Sequence, residues 1–456
     1  MDTVHDLQWD ETKKFIEGAL KKSGVPGCSV GILHKGEVHT AGFGVANVEK
    51  MEPVRENTLF QIGSISKTFT TTVAMKLVEE GQLDLQLPVR AYLPDFKVAD
   101  ESVSSTVTSY HLLTHTAGWD GDLFLETGDG EDAIQRYIQR MTIREQLFPL
   151  GKYFSYNNSG FTVLGGILEA ITQKYIEDLY RTYIIEPLGL EHLFFNAAGA
   201  ITYNFAVGHL PSPQGNAVAR PWRMPRSVLP MGGIVTNVGD LLQYALCYLA
   251  KGKTPAGKQL LKPETIAQIF APKVPISPED RTSRGYCWLR RDFENGYAIG
   301  HGGGTKGQMT QLLLLPEHNF ALAFFTNSEL GGSLIQEVQK YILKTYLNVA
   351  LDAPKEIVST PEQLAAYAGT ASRPGSNIYL SMMGGYLVGL EEETIGFPTE
   401  NDPPLPPSPP FRVGRCAADR LIVLDGDGKD APIDVLRDAQ GKISYLRVGG
   451  RMYQFN

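Results

Sequence analysis

Strand-like apolar runs lie near both ends of the first three-quarters of this chain, with helical periodicity between them. A sheet whose strands come from opposite ends can be completed only when the chain returns to its start. Near the beginning, Phe15, Ile16, Ala19 and Leu20 recur at helical spacing over residues 10–22. Two β-rich runs follow, 28–33 and 37–43, joined by Lys35-Gly36, a pair suited to a tight hairpin turn. Residues 64–80 form a helical pattern with Phe69, Val73, Leu77 and Val78 on one stripe and Gly81 placed to terminate it. The stretch 83–268 is mostly helical with Pro- and Gly-rich joints. Strand character returns at 285–289, 297–301, 309–315 and 320–326, and a last helix covers 333–347. The pattern predicts an α+β unit over residues 1–351: an antiparallel β-sheet flanked by helices, with a mostly helical subdomain.

Residues 352–361 read as a linker, and 362–456 as a small antiparallel β-barrel with short strands at 378–380, 386–390, 420–424, 433–436 and 443–448. Within it, the proline-rich segment 403–410 is expected to be a stiff loop rather than a polyproline ligand. No internal repeat is present.

Composition narrows the function classes. Lys+Arg 42 against Asp+Glu 50 gives a net charge of −8, the wrong sign for affinity built on neutralising phosphates, so nucleic acid is not an expected partner. The four cysteines are widely spaced with no C-x-x-C pair, as expected of reduced core residues rather than a zinc site or a disulfide framework. No apolar run approaches the ~20 residues of a membrane helix, and the acidic start Met1-Asp2-Thr3-Val4-His5-Asp6 lacks the pattern of a secretory signal. A cytoplasmic chain with no membrane segment is expected.

Three motifs carry chemistry. Gly63-Ser64-Ile65-Ser66-Lys67-Thr68 holds the sequence's single S-x-x-K at the start of a predicted helix. Residues three apart share a helix face, so the Ser64 hydroxyl and Lys67 amine can meet beside the helix N-terminus. A chain of this size holds about one S-x-x-K by chance, and taken alone Ser64 serves equally as a helix cap with Lys67 solvated. The second motif is Tyr156-x-Asn158 in a polar loop before a predicted helix over 161–173; a second Y-x-N, Tyr346-Leu347-Asn348, ends an apolar helix and reads as packing. The third is Gly300-His301-Gly302-Gly303-Gly304, whose glycines imply close approach of another backbone or of a ligand.

In this order, S-x-x-K, Y-x-N and H-x-G resemble the serine β-lactamase and penicillin-binding-protein superfamily. The resemblance extends to Phe60-Gln61-Ile62-Gly63-Ser64, Leu112-Leu113-Thr114-His115-Thr116-Ala117-Gly118 and Met231-Gly232-Gly233-Ile234-Val235-Thr236, and it covers nearly all of 12–346. It is strongest to the class C-like group of D-aminopeptidases, D-alanyl carboxypeptidases and esterases. The resemblance implies that Ser64 is an acyl-enzyme nucleophile, that Lys67 and Tyr156 manage its proton with either as the base, and that Asn158 orients Lys67 and a substrate amide. It implies an oxyanion pocket from the backbone N–H groups of Ser64 and Gly304, with His301 and Gly303 along the substrate.

His301 stands where many penicillin-recognising members carry Lys, so fixed positive charge is weaker. The implied substrates are therefore small esters, amides or peptides, of esterase or D-amino-acid peptidase type, with β-lactamase or penicillin-binding activity as an alternative. Lys306 could restore the charge, although a solvated loop lysine is the commoner fate. A non-catalytic, self-assembling scaffold of the same fold is the contrasting reading. No cofactor is implied. Residues 364–370 and the strand pattern after them resemble the lipocalin-like module of some cubicO-type peptidases and esterases, a module that would wall the site or mediate a homo-oligomer.

Other matches are discounted. Gly27-Cys28-Ser29-Val30-Gly31 lacks the strand–turn–helix context of a nucleophile elbow, and Gly302-Gly303-Gly304-Thr305-Lys306-Gly307 opens no helix to receive a pyrophosphate. His111 and His115, four apart, are expected to be packed or hydrogen-bonded rather than metal ligands.

Overall fold

The computed structural model describes residues 2–456 except 352, 353, 397, 398, 405 and 427, with side chains described from residue 7. The linker position Ala353 and the loop position Leu405 therefore lie outside the described residues. The amino-terminal helix α1 (Asp2–Ser23) leads into β1 (Gly27–His34), β2 (Glu37–Asn47) and the two-residue β3 (Glu52–Pro53). A 3-10 turn at Gly63–Ile65 opens α2 (Ser66–Glu79), and α3 (Ser159–Thr172) and α4 (Val238–Leu249) belong to the helical layer. The returning chain supplies β4 (Val274–Ser277), β5 (Thr282–Arg284), β6 (Leu289–Phe293), β7 (Gly296–Thr305), β8 (Gln308–Leu315) and β9 (Phe320–Thr326), then α5 (Gly331–Leu347).

These strands make one nine-stranded sheet in the order β3-β2-β1-β9-β8-β7-β6-β5-β4. The first and last parts of the chain join where β1 pairs antiparallel with β9, Val30 opposite Phe324. Both faces of the sheet are covered. Along β8 and β9, Leu312, Leu314, Ala321, Ala323 and Phe325 enter the core shared with the helical layer, whereas Leu313, Leu315, Phe320, Leu322 and Phe324 face α1 and α5. Period-two alternation with apolar residues on both sides is what makes these strands read as continuous hydrophobic runs.

Two sequence expectations shift. Residues 285–288 are not strand but a turn in which Cys287 takes φ 70°, displacing the expected strand to Leu289–Phe293. The three glycines after His301 do not end a strand; β7 runs through them to Thr305.

Helix α2 departs from the amphipathic pattern by being buried nearly all round. Its threonines make this compatible with a helix interior, because Thr71 and Thr72 return their hydroxyls to the carbonyls of Lys67 and Thr68, 2.8 and 2.9 Å away. Gly81, at φ +72°, terminates it as expected.

The carboxy-terminal part closes an eight-stranded antiparallel barrel: β10 (Gly369–Arg373), β11 (Ser376–Met383), β12 (Tyr386–Glu393), β13 (Phe411–Ala417), β14 (Arg420–Val423), β15 (Pro432–Arg437), β16 (Ile443–Val448) and β17 (Arg451–Phe455). Side chains including Ile378, Leu421, Ile433 and Leu446 fill its interior. Three of these strands, β10, β13 and β17, carry no strong alternation and were not expected from the sequence. The described residues of the proline-rich stretch form a loop between β12 and β13, tied down where Ser408 and Glu391 exchange hydrogen bonds of 2.9 and 3.0 Å. No helix among the described residues is long and apolar enough to cross a membrane.

Candidate active site

Ser64 occupies the 3-10 turn immediately before α2, one turn from Lys67 on the same face, and opens onto a cavity of about 710 Å³. Lys67 is fully buried. Its Nζ lies 3.0 Å from Ser64 Oγ, 2.6 Å from Asn158 Oδ1 and 2.5 Å from the Met231 carbonyl. Burial pushes the amine down to about 7; Arg451 and Arg284 act in the same direction, and Cys287 and Asp122 oppose them.

Asn158 lies at the start of α3, with its amide between two groups of opposite demand. Its Nδ2 donates to Asp122 Oδ1 at 2.6 Å. Because an ionised carboxylate only accepts, this bond turns the amide oxygen toward Lys67. Burial opposes charge on Asp122, but the guanidinium groups of Arg451 and Arg373 outweigh it and hold the carboxyl well below its usual range.

The Tyr156 ring packs over this group, 5.0 Å from Lys67 Nζ, and His115 stacks on it at 4.6 Å. Its hydroxyl is buried without a hydrogen bond of good geometry, and burial pushes its proton affinity up, with the Ser64 hydroxyl pulling the other way. His115 is a packed histidine: Nδ1 accepts the Asn157 N–H at 3.0 Å. His111 caps its helix through Thr108.

On the opposite wall, His301, Gly302, Gly303 and Gly304 run along β7. His301 Nδ1 lies 2.6 Å from the Gly302 carbonyl, so Nδ1 carries the hydrogen and the unpartnered, buried Nε2 presents a lone pair. Burial, Arg284 and Lys67 push its proton affinity well down, leaving a neutral ring. Gly304 lies against the turn that carries Ser64: a β-carbon on Gly63 would stand 2.6 Å from the Gly304 nitrogen. Six of the seven candidate site residues, Ser64, Tyr156, Asn158, His301, Gly303 and Gly304, line one cavity, and the seventh, Lys67, lies buried behind Ser64 and Asn158. Lys306 does not reach it; its amine bonds the Arg220 carbonyl at 2.8 Å and faces Asp402 at 3.5 Å, so it is neither a site cation nor a solvated lysine.

Several charged groups at the site were not singled out, among them Asp122, Arg451, Arg373 and Arg284. Asp122 and Arg451 lie beneath Asn158, joined Nε to Oδ2 at 2.6 Å. Arg284, at the end of β5, lines the cavity beside Tyr156, its guanidinium carbon 5.6 Å from the ring. Its Nη1 donates to the Cys287 carbonyl at 2.7 Å, and no ion pair among the described residues neutralises it. Isolated charged residues form no local pattern, so nothing in the sequence marked them.

The Beta-lactamase family profile matches residues 12–346. Penicillin-binding protein 4 of Amycolatopsis lactamdurans is 30% identical over 361 residues, 77% of this chain and 94% of that protein. Among solved structures, SurE with D-Leu superposes with a TM-score of 0.72 at 24% identity, covering 99% of this chain and all of that one. The octameric penicillin-binding protein homologue from Pyrococcus abyssi gives 0.65 at 22% identity, with both chains fully covered.

Proposed function

The chain belongs to the beta-lactamase family, and from that premise we propose that it is a serine hydrolase in which Ser64 forms the acyl-enzyme and Lys67 is the general base. The observation that carries this is the set of three acceptors around one buried amine. A neutral Lys67 has two hydrogens and one lone pair. The Asn158 oxygen and the Met231 carbonyl can only accept, so they take the two hydrogens, and the lone pair is left facing the Ser64 hydroxyl 3.0 Å away. An amine pushed down to about 7 is neutral in half the molecules at neutral pH, whereas an ordinary lysine near 10.4 would be neutral in fewer than about one in a thousand.

Ser64 Oγ bonds to the substrate carbonyl carbon as its proton passes to Lys67. The bond to the leaving group then breaks, and that group receives the proton from Lys67, directly or relayed through the phenol of Tyr156, which Lys67 reprotonates. Water then cleaves the acyl ester, releasing the acid and restoring Ser64. Backbone N–H groups of Ser64 and Gly304 flank the place of the developing oxyanion, a contribution of about 3–4 kcal/mol per donor.

Small esters, amides or peptides are the substrates this cavity favours. The neutral His301 offers a lone pair, suited to a substrate N–H or O–H, and supplies no fixed charge. Arg284 provides the cation that His301 does not, which favours substrates carrying a carboxylate, such as a peptide or an N-acyl amino acid. Penicillins share that carboxylate and remain the second reading.

Intact-mass analysis after exposure to a fluorescent phosphonate, p-nitrophenyl esters, D- and L-aminoacyl substrates and penicillins tests the proposal. A covalent adduct on the wild type and none on Ser64→Ala is expected; an adduct of equal yield on the variant would remove Ser64 as the nucleophile.

A further inference from the structure

The turn between β16 and β17 does not stay with its barrel. Gly449 and Gly450 both take positive φ, 55° and 79°, making the tight hairpin that side chains resist. That hairpin grips the loop bearing Tyr156 on both sides: the Tyr156 N–H donates to the Gly450 carbonyl at 2.8 Å, and the Met452 N–H donates to Ser155 Oγ at 3.1 Å. Arg451, the next residue, forks onto Asp122, with Nε 2.6 Å from Oδ2 and Nη2 3.3 Å from Oδ1. From β10, Arg373 closes on the same carboxylate, Nη1 to Oδ2 at 3.2 Å. The barrel thus supplies both cations that permit the buried carboxylate beneath Asn158 to stay ionised.

We propose that Arg451 is a positioning residue of the catalytic site: through Asp122 it holds the Asn158 amide in the orientation that presents Lys67 to Ser64, which makes the barrel an integral part of the site. The inference rests on Lys67 acting as the base. A continuous path links barrel to nucleophile, from Arg451 through Asp122, Asn158 and Lys67 to Ser64, with its linking contacts between 2.6 and 3.0 Å. If Asp122 were protonated or displaced, Asn158 would no longer be held with its oxygen toward Lys67. Presenting its NH₂ group instead would leave Lys67 with one acceptor fewer and its lone pair no longer directed at Ser64.

Charge as well as geometry passes along this path. Lys67 Nζ and Arg451 Cζ stand 5.0 and 5.1 Å from the same Tyr156 ring centroid, so they are no more than about 10 Å apart. The other titratable groups facing Lys67 are Tyr156, His115, His301, Cys287, Arg284 and Asp122. His115 and His301 are neutral and Cys287 is held as a thiol by burial, which leaves the two arginines and Asp122 as its fixed charges.

The test is the pH profile of kcat/KM toward a neutral p-nitrophenyl ester in Arg451→Gln, Arg451→Lys and Asp122→Asn. Loss of the cation in Arg451→Gln should move the acidic limb to higher pH by about 0.6 to 1.2 units, the effect of one charge about 10 Å away at an effective dielectric of about 20–40. Loss of the anion in Asp122→Asn should move it to lower pH, and Arg451→Lys, which keeps the charge, should leave it in place while lowering the plateau. Unshifted limbs in both neutralising variants, or limbs that move in the same direction, would overturn the proposal, since disturbed packing has no reason to produce opposite signs. Should Arg451→Gln fail to fold, Asp122→Asn decides alone: a limb moved down supports the path, and an unmoved one refutes it. A wild type that phosphonate does not label on Ser64 would refute the hydrolase reading itself, and that result is read separately from any variant.

Discussion

Adding one methyl group at Gly303 should cost this protein far more than the same addition at either neighbouring glycine. A β-carbon on Gly302 would meet its nearest atoms, in Gln311 and Thr310, at 3.5 and 3.6 Å, and one on Gly304 would meet the sulfur of Met309 at 3.4 Å; both are ordinary contacts. On Gly303 it would intrude on the carbonyl oxygen of Ile62 and on the Thr310 hydroxyl, which donates to that same carbonyl at 2.9 Å. Ile62 is held on its other side by its N–H bond to the Ile234 carbonyl at 3.0 Å, and two residues later the chain reaches Ser64. Relief therefore requires β7 and the Ser64 turn to separate by about 1 Å, a displacement of a kind that costs about 100-fold in rate, or about 2.7 kcal/mol of transition-state stabilisation. The overpacking itself should lower stability by about 1–3 kcal/mol. Ester hydrolysis and urea denaturation of Gly302→Ala, Gly303→Ala and Gly304→Ala read both quantities. Gly303→Ala should lose about 100-fold in kcat/KM, while Gly302→Ala stays within about threefold and about 0.5 kcal/mol. If Gly303→Ala matched Gly302→Ala in rate, or lost stability with full activity, close packing of β7 against the nucleophile turn would not be what positions Ser64.

Two further outcomes follow from the site's electrostatics. Lys67 must be neutral to accept the Ser64 proton, so kcat/KM for a non-ionising ester should fall about tenfold per pH unit below a midpoint near 7 and level off above it; a midpoint near the free lysine value would mean that burial does not tune this amine. Assayed on the alkaline plateau, where Lys67 is neutral in both proteins, Arg284→Gln should raise KM by about tenfold or more for N-acyl amino acids or peptides with a free carboxylate and leave the KM of neutral p-nitrophenyl esters within about twofold; equal effects on both would place Arg284 outside substrate recognition.

The motifs at Ser64, Tyr156 and His301 were legible because each is a short run in a recognisable local setting, and a serine and a lysine three residues apart before a helix must share a face whatever the rest of the chain does. Five of the nine strands of the large sheet, β1, β2, β7, β8 and β9, were legible for the same reason, since alternation and apolar runs are local properties, whereas β3, β4 and β5 are two to four residues long and too short to show either. Residues 285–288 were misread as strand because a hydrophobic run carries no mark of the left-handed turn that Cys287 makes when its N–H is drawn to the Leu113 carbonyl at 2.8 Å. Asp122, Arg284 and Arg451 left no trace at all: each is one charged residue among many, and Asp122 and Arg451 are 329 positions apart until the barrel docks.

What the sequence by itself determined is the identity and order of the reactive groups and the family fold that gathers them. What only the tertiary structure decided is the state those groups are in: a lysine deprived of water, an asparagine turned by a carboxylate, and a carboxylate kept charged by arginines from another part of the chain. Reactivity of this kind is a sum over neighbours in space, and burial and Coulomb interactions act through distances that position along the chain does not encode.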